Sequence, residues 1–547
     1  MSGESFVKQP VKKGILGGVA LLSALIPVYV CAYSALLVNQ KVPVFDRQAL
    51  NVLLFAAVYT VPFLFTSVFC QFLCTRFSAR NVVVFSRAVE IFLILAGSFF
   101  LAPVVKFGPV PLLVFAGCLG VVFSFYRPAL KIYLSDTADK KELSRTAGIV
   151  ESMTFLGIII GTVSAVFCIH FISSMAAVAA AGISLATLNL LLASHLNPNQ
   201  SFCRKLRFRD LKQQWVTAFK LQQRYRELVL TGIGEGYIFA SIILISSMAM
   251  QYITVKFGNT GTSGNDIFLY AVIASPVIGA VLGCLVAGKL SGDMIEIGLV
   301  PPSTVVMTLA ALLIGLLPFF PDQYTGGVLL SVLLFVFGFF AGIMLVPLEA
   351  YQKYFIRHEL IPPFFSWFYL PFAGGILLTI LMSFLMYYYG LSIFTITLIL
   401  ACLTIILGVT SFYIMPQFLL RFLMRTMLCT LYRLRKFGVE NLPEEGPALL
   451  VGNRASFVDI FFIQACTSRP IRFMMHESYF NVPFWKPLFK SAGFISVPSN
   501  KPKQLRALLE YTQELLRQGE IVCIFPEGDI TKNGTMSSFK DGLGRVG

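Results

Sequence analysis

Apolar runs about as long as a bilayer is thick recur between Gly14 and Met415. They are Gly14–Val38, Leu50–Phe72, Val82–Phe100, Pro111–Tyr126, Thr146–Phe171 and Met175–Leu192, then Leu228–Ile253, Phe268–Leu290, Val305–Phe320, Gly326–Leu348, Ser366–Tyr387 and Leu391–Met415. A hydrocarbon core roughly 30 Å thick takes about 20 apolar residues as helix, and backbone in lipid must satisfy its own hydrogen bonds. The pattern therefore predicts an all-α polytopic membrane bundle of about twelve helices. Composition agrees: charged residues make up 13%, where soluble domains carry roughly 25%. The first run is too long for a signal-peptide core.

The net charge of +16, from 43 basic and 27 acidic residues, falls mainly in short loops. It reads as a topology signal and lipid contact, not as a nucleic-acid surface. Lys8, Lys12 and Lys13 precede the first span; Arg76 and Arg80 follow the second; Lys131, Lys140, Lys141 and Arg145 follow the fourth. The longest loop holds Arg204, Lys205, Arg207, Arg209, Lys212, Lys220, Arg224 and Arg226, and the tenth holds Lys353 and Arg357. The alternate loops are poor in basic residues. Even-numbered loops and both ends of the bundle are thus expected in the cytoplasm. The 11 cysteines are scattered without ligand spacing, so neither a disulfide framework nor a metal site is expected.

The bundle is expected over residues 1–416, with halves at about 1–193 and 228–416 joined by a basic cytoplasmic linker at 194–227. After Met415 the texture changes. Pro416 ends the last run, and an apolar stretch from Phe418 carries Arg421, Arg425, Arg433, Arg435 and Lys436, which suits a helix on an anionic surface. From Gly446 short strands, Ala448–Val451 and Ile521–Phe525, alternate with helical segments such as Gln504–Gln518. Residues 417–547 read as a partial α/β domain, incomplete at its C-terminus.

Several ionisable residues fall in or beside the spans: Glu90, Glu151, Glu235, Glu349, Arg127 and Asp136. Each charge at that depth costs roughly 2.5–3.5 kcal/mol or more unless paired or hydrated. They are either a transport path or internal ion pairs, with Glu90 and Glu235 the first candidates for transport.

Six spans, a cytoplasmic linker and six more form the pattern of the major facilitator superfamily. Arg76-Phe77-Ser78-Ala79-Arg80-Asn81-Val82, Arg87-Ala88-Val89-Glu90-Ile91, Glu142 to Glu151, Leu290 to Pro301 and Val346-Pro347-Leu348 resemble its lysophospholipid transporter family over about residues 10–415. The superfamily's second loop has Gly and then Asp before the Arg, where this chain has Gln71 and Thr75. The resemblance implies flipping of a lysophospholipid from the outer to the inner leaflet of the inner (cytoplasmic) membrane.

Asn453-Arg454-Ala455-Ser456-Phe457-Val458-Asp459 and Phe525-Pro526-Glu527-Gly528, with Gly493 to Pro502 between them, resemble the glycerophospholipid acyltransferase family, 2-acylglycerophosphoethanolamine type. Its chemistry implies a His that takes the proton of the acceptor hydroxyl and an Asp, here Asp459, that orients the His and stabilises its charged form. The His position is Arg454, which keeps its proton at neutral pH and cannot be a base. His476 is the one histidine of the domain, and its spacing does not place it beside Asp459. The resemblance implies that Glu527 and Gly528 help hold the acceptor, with Ser456, in the same motif as Asp459, as a further substrate-binding candidate. Ser499 stands about where an Arg binds glycerol phosphate, so lysophosphatidate is the less expected acceptor. Without the family, Ser456 with Asp459 reads as a helix start.

No bound cofactor is expected; an acyl-carrier-protein or acyl-CoA thioester would be the co-substrate, and membrane lipids, lysophospholipid and acyl carrier protein the partners. The combination implies lysophospholipid flipping coupled to re-acylation in phospholipid remodelling. Two alternatives stay open: a non-catalytic lipid-binding module regulating the transporter, and a transporter of an unrelated small solute.

Overall fold

The computed structural model describes residues 13–41, 48–101, 109–139, 142–171, 175–198, 216, 226–257, 263–292, 295–319, 323–355, 361–414, 416–431, 435, 437–443, 446–454, 456, 458–467, 469–483, 486–491, 493–498 and 502–527. The remaining positions, including most of the 194–227 linker, His358, Ser499 and Gly528, lie outside the described residues. The chain divides into two compact units: residues 1–295 with 302–408, and residues 296–301 with 409–547.

The first unit is helical. Its N-terminal helices are α1 (Lys13–Lys41), α2 (Gln48–Thr60), α3 (Pro62–Arg76), α4 (Ala79–Leu101), α5 (Val110–Thr137), α6 (Leu143–Phe171) and α7 (Met175–Ser194). The C-terminal series is α8 (Arg226–Phe257), α9 (Ser263–Ser291), α10 (Val300–Leu316), α11 (Gln323–Phe355), α12 (Ile361–Tyr389) and α13 (Ile393–Ile414), whose last turns enter the second unit. Among the described residues, ten helices are long and apolar enough to cross a membrane. The other two expected spans are present in altered form. The second is interrupted at Val61, because Pro62 has no N–H to continue the helix and starts α3 instead. The fourth helix, α4, carries Arg80, Arg87 and Glu90 within its length.

Helices in lipid gain little from hydrophobicity against one another, so they associate by close backbone packing at small residues. Both halves use this device. A Cβ on Gly157 or Gly161 of α6 would lie 2.3 or 2.6 Å from the carbonyl oxygens of Leu21 and Leu25 on α1. In the other half, Gly279 and Gly283 of α9 meet Phe335 and Phe339 of α11, while Gly338 and Gly342 of α11 meet Pro276 and Ala280 of α9. The halves touch along two seams. At one, Gly148 of α6 faces Cys284 and Gly288 of α9, with backbone atoms 2.7 and 3.1 Å from a Cβ placed there. At the other, Phe63 of α3 packs on Tyr369 of α12 with ring centroids 6.2 Å apart.

Two basic residues expected in cytoplasmic loops are elsewhere. Lys131 lies inside α5 and Lys353 inside α11, and both are buried. Both helices run past the ends of the apolar runs, and both lysines face buried carboxylates there.

The second unit contains α14 (Pro416–Leu431) and a four-stranded sheet of β1 (Ala448–Val451), β2 (Ile471–His476), β3 (Ile495–Val497) and β4 (Ile521–Ile524). Helices α15 (Asp459–Gln464), α16 (Glu477–Phe480), α17 (Lys486–Ser491) and α18 (Pro502–Arg517) connect the strands. The order is β1-β4-β2-β3 and every pairing is parallel, with Val451 opposite Ile524 and Ile471 opposite Ile521. One face is covered by Ile460, Phe489 and Phe494 over Phe473, Ile521 and Phe525. Leu508, Leu515 and Leu516 of α18 cover the other, over Val522 and Ile495. Gly493 has φ 75°, and the Arg472 side chain occupies the space where a Cβ would stand.

The α9–α11 interlock yields a stability test. Gly283→Val would drive a side chain to within 2.0 Å of the Phe339 carbonyl oxygen, so thermal melts in detergent should show a large loss. Gly374→Ala, with open space around it, should match the parent or gain about 0.5–1 kcal/mol from the helix preference for Ala.

Candidate functional sites in the bundle and in the α/β unit

The ionisable residues of the spans form two groups. In the first, Arg87 Nη1 donates to Glu90 Oε2 at 2.8 Å, one turn along α4, and its guanidinium lies 4.0 Å above the Tyr126 ring. Glu90 is therefore occupied within its own helix and does not meet Glu235.

The second group joins four helices. Arg127 of α5 holds both oxygens of Glu151 on α6 at 2.7 Å. One turn on, Lys131 reaches Glu235 of α8 at 2.5 Å and Glu349 of α11 at 3.3 Å. Lys353, one turn beyond Glu349, approaches it at 3.4 Å. All six side chains are buried. Three cations face three carboxylates, and Lys131 bridges the two halves of the bundle. Its ammonium also lies 4.8 Å from the Phe368 ring and 5.6 Å from the Tyr369 ring on α12, both favourable to a cation. Nearby in sequence, the amide of Gln352 and the hydroxyl of Tyr369 are buried, and neither has a hydrogen-bond partner among the described residues. Asp136 is half-buried in the last turn of α5, away from the apolar middle of that helix.

Sequence reasoning located the four glutamates and Arg127 but set Arg87, Lys131 and Lys353 aside as motif or loop residues. A helical count would have found Lys131, which is four residues beyond Arg127 and so on the same face.

In the second unit, parallel strands bring the two acyltransferase-type motifs side by side. Arg454 follows β1 and Glu527 follows β4, its neighbour in the sheet. The Glu527 carboxylate accepts the backbone N–H of Arg454 at 3.3 Å, and both residues are buried. The Arg454 guanidinium stands 5.2 Å from the Tyr479 ring and 5.5 Å from the Phe525 ring. Asp459 opens α15, and its Oδ2 accepts the N–H of Ser456 at 2.7 Å; Ser456 Oγ accepts the N–H of Val458. This is the acid reaching back at a helix start. His476 ends β2, and its Nδ1 caps α16 through the N–H of Ser478. Cys523 is buried on β4, and burial pushes its thiol up to about 12, so it stays protonated and unreactive at neutral pH. Glu520 grips Arg472 beside Gly493 and raises the guanidinium further above its ordinary value.

Comparison with known proteins finds two families in different parts of the chain. Residues 17–352 match the Major Facilitator Superfamily, and residues 433–546 match the Acyltransferase family. Among solved structures, the transporter FucP in its outward conformation aligns with TM-score 0.55 over 73% of this chain and 97% of its own, at 14% identity. The human organic anion transporter TETRAN aligns with TM-score 0.51 over 74% and 100%, at 13% identity. These likenesses are of fold. Among curated proteins, the chloroplastic 1-acyl-sn-glycerol-3-phosphate acyltransferase of Arabidopsis thaliana is 31% identical over 112 residues, which is 20% of this chain and 31% of that protein. Its Brassica napus counterpart is 29% identical over 106 residues, 19% and 30% of the two chains. The chain thus spans about a third of the length of the curated relatives it matches.

Removing one member of a buried ion pair typically costs about 3–5 kcal/mol, because the other charge is left unpaired. Lys131→Ala leaves Glu235 and Glu349 facing each other's charge and should lower the melting temperature in detergent sharply. Lys131→Met combined with Glu235→Gln should recover a substantial part of that loss. A double variant no more stable than the single one would show that the pair does not carry the packing of the halves.

Proposed function

Because the chain belongs to the Major Facilitator Superfamily and carries an acyltransferase-type domain behind its transporter, we propose that it moves a lysophospholipid between leaflets and holds that lipid at the following domain without completing acyl transfer. The observation that carries this reading is the buried charge chain Arg127–Glu151 and Lys131–Glu235–Glu349–Lys353. A lysophospholipid with a zwitterionic head group has a phosphate and an ammonium a few bonds apart. Lys131 or Arg127 suits the phosphate, and Glu235 or Glu349 suits the ammonium. Such a head group exchanges one set of ion pairs for another and leaves no charge stranded in lipid. Gln352 and Tyr369 supply spare hydrogen-bonding groups. Glu90, already engaged by Arg87, ranks below these.

The acceptor reading is supported by the curated relatives, which are named for acyl transfer to an acylglycerol phosphate. In acyl transfer, the acceptor oxygen bonds to the thioester carbonyl carbon, the carbon–sulfur bond breaks, and the hydroxyl proton passes to a base. Arg454 occupies the base position and holds its own protons at any ordinary pH. It supplies instead a cation whose donors suit a phosphate. Asp459 shapes the helix start, and Glu527 fixes the backbone of Arg454. The donor thioester, on acyl carrier protein or coenzyme A, would serve only a version with a base. The basic loops support a topology in which both ends of the bundle lie in the cytoplasm and the protein in the inner membrane.

The test uses the full chain in vesicles with a panel of fluorescent lysophospholipids and a labelled acyl thioester. Lysolipid movement is expected, with none in the Lys131→Ala, Glu235→Ala double variant. Acyl transfer is expected to be absent in the natural chain. Transfer by the natural chain that disappears on Asp459→Ala would overturn the non-catalytic assignment. Proton-coupled uptake of a soluble compound without lysolipid movement would overturn the transport assignment.

A further inference from the structure

Helix α14 starts two residues after α13, the last membrane-spanning helix, ends at Ile414. At about 100° per residue, Phe418, Arg421, Arg425 and Leu428 share one face, and Leu423, Met427 and Leu431 share the opposite one. The first face is the covered one. Phe418, Arg421 and Leu428 are buried. Both arginines close on the single carboxylate of Glu296, itself buried: Arg421 Nη2 at 3.5 Å from Oε2, and Arg425 on Oε1. Gly298, two residues on, lets the backbone there approach α14: a Cβ would stand 2.5 Å from the Phe418 carbonyl oxygen. Leu428 packs with Phe461 and Ala465 of α15.

The second face is open. Leu423, Met427 and Leu431 are 52%, 41% and 67% exposed. This polarity is the reverse of a helix lying on a protein in water, which hides its apolar face and shows its charges. It also differs from the sequence expectation for two of the five basic residues, since Arg421 and Arg425 are spent on Glu296 and not on anionic lipid, while Arg433 and Lys436 lie outside the described residues. The last turns of α13 continue the pattern, with Val409, Phe412 and Tyr413 exposed.

We propose that α14 lies in the plane of the bilayer with Leu423, Met427 and Leu431 among the acyl chains, and that Glu296 is the positioning residue that fixes this orientation by neutralising the opposite face. The occupant of the apolar stripe is lipid. The helix leaves a membrane span within two residues, its exposed face carries no charge, and its basic face already has a partner inside the protein. The α/β unit would in this way be moored at the leaflet surface independently of what its motifs do to a substrate.

The test places a photo-reactive benzoylphenylalanine, one site at a time, at Leu423, Met427, Leu431, and at Tyr511 of α18 as an exposed control, in the full chain in phosphatidylcholine vesicles. Mass spectrometry after illumination should show lipid adducts at the first three positions and none at Tyr511. Adducts should be equally abundant when phosphatidylglycerol is added, because the arginines are engaged by Glu296. Crosslinks to a second copy of the chain, or adducts no more frequent than at Tyr511, would overturn the assignment of lipid. A requirement for anionic lipid would overturn the role of Glu296. Glu296→Gln should lower lipid adducts at Leu423, Met427 and Leu431 towards the Tyr511 level, and Glu296→Asp should restore the original pattern; an unchanged pattern in Glu296→Gln would also overturn that role.

Discussion

A charge placed in hydrocarbon must bring its counter-charge with it, and that requirement organises the transporter part of this protein. Lys131 would be costly in the middle of a lipid-embedded bundle if it stood alone. Between Glu235 and Glu349 it becomes a tie between two halves of six spans each. Ion pairs of this kind add little net stability compared with apolar packing, because desolvation offsets most of the attraction. What they add is specificity: α5, α8 and α11 have to meet in one register for the carboxylates to find the cation. The packing energy itself comes from the glycine contacts, where backbones approach closely enough for dispersion to act over many atoms.

The same rule governs Glu296, in the second unit. Two guanidinium groups on one buried carboxylate turn the basic side of α14 inward and leave its apolar side facing out. A charge pattern that in isolation suggests contact with anionic lipid is thereby converted into a contact with lipid tails. Sequence periodicity identifies both faces of α14 but cannot say which one is covered, because the covering residue lies more than a hundred positions earlier in the chain.

The α/β unit illustrates a different relation between motif and structure. Parallel pairing of β1 with β4 is what joins two motifs separated by about seventy residues, since ligand-binding groups in such sheets gather beyond the carboxyl ends of adjacent strands. The contact that results, Glu527 to the backbone of Arg454, does not depend on the side chain at 454. The side chain at 454, by contrast, is packed: its guanidinium is buried over the Tyr479 and Phe525 rings. The difference between a base and a fixed cation rests on that one residue. Asp459 and His476 show the other side of this economy: each is used by the backbone at a helix start.

By itself, the sequence determined the solvent of each part. Spacing of apolar runs identified a membrane bundle, alternation of short strands and helices identified an α/β unit, and the chemistry of Arg454 excluded a base, because these properties are local to a residue or a window. Only the tertiary structure decided the partners. Glu90 pairs with Arg87 along one helix, while Glu235 pairs with Lys131 across the two halves, although both glutamates look alike in sequence. Lys131 and Lys353 read as loop residues by charge, yet they are core residues, because each meets a buried carboxylate: Lys131 those of Glu235 and Glu349 on other helices, Lys353 that of Glu349 one turn back on its own. The break at Val61 was visible in Pro62, but its consequence, a span made of two helices, was not. Charge pairing is non-local: it depends on which side chains the packed backbone brings within a few ångströms, and no window along the chain contains that information.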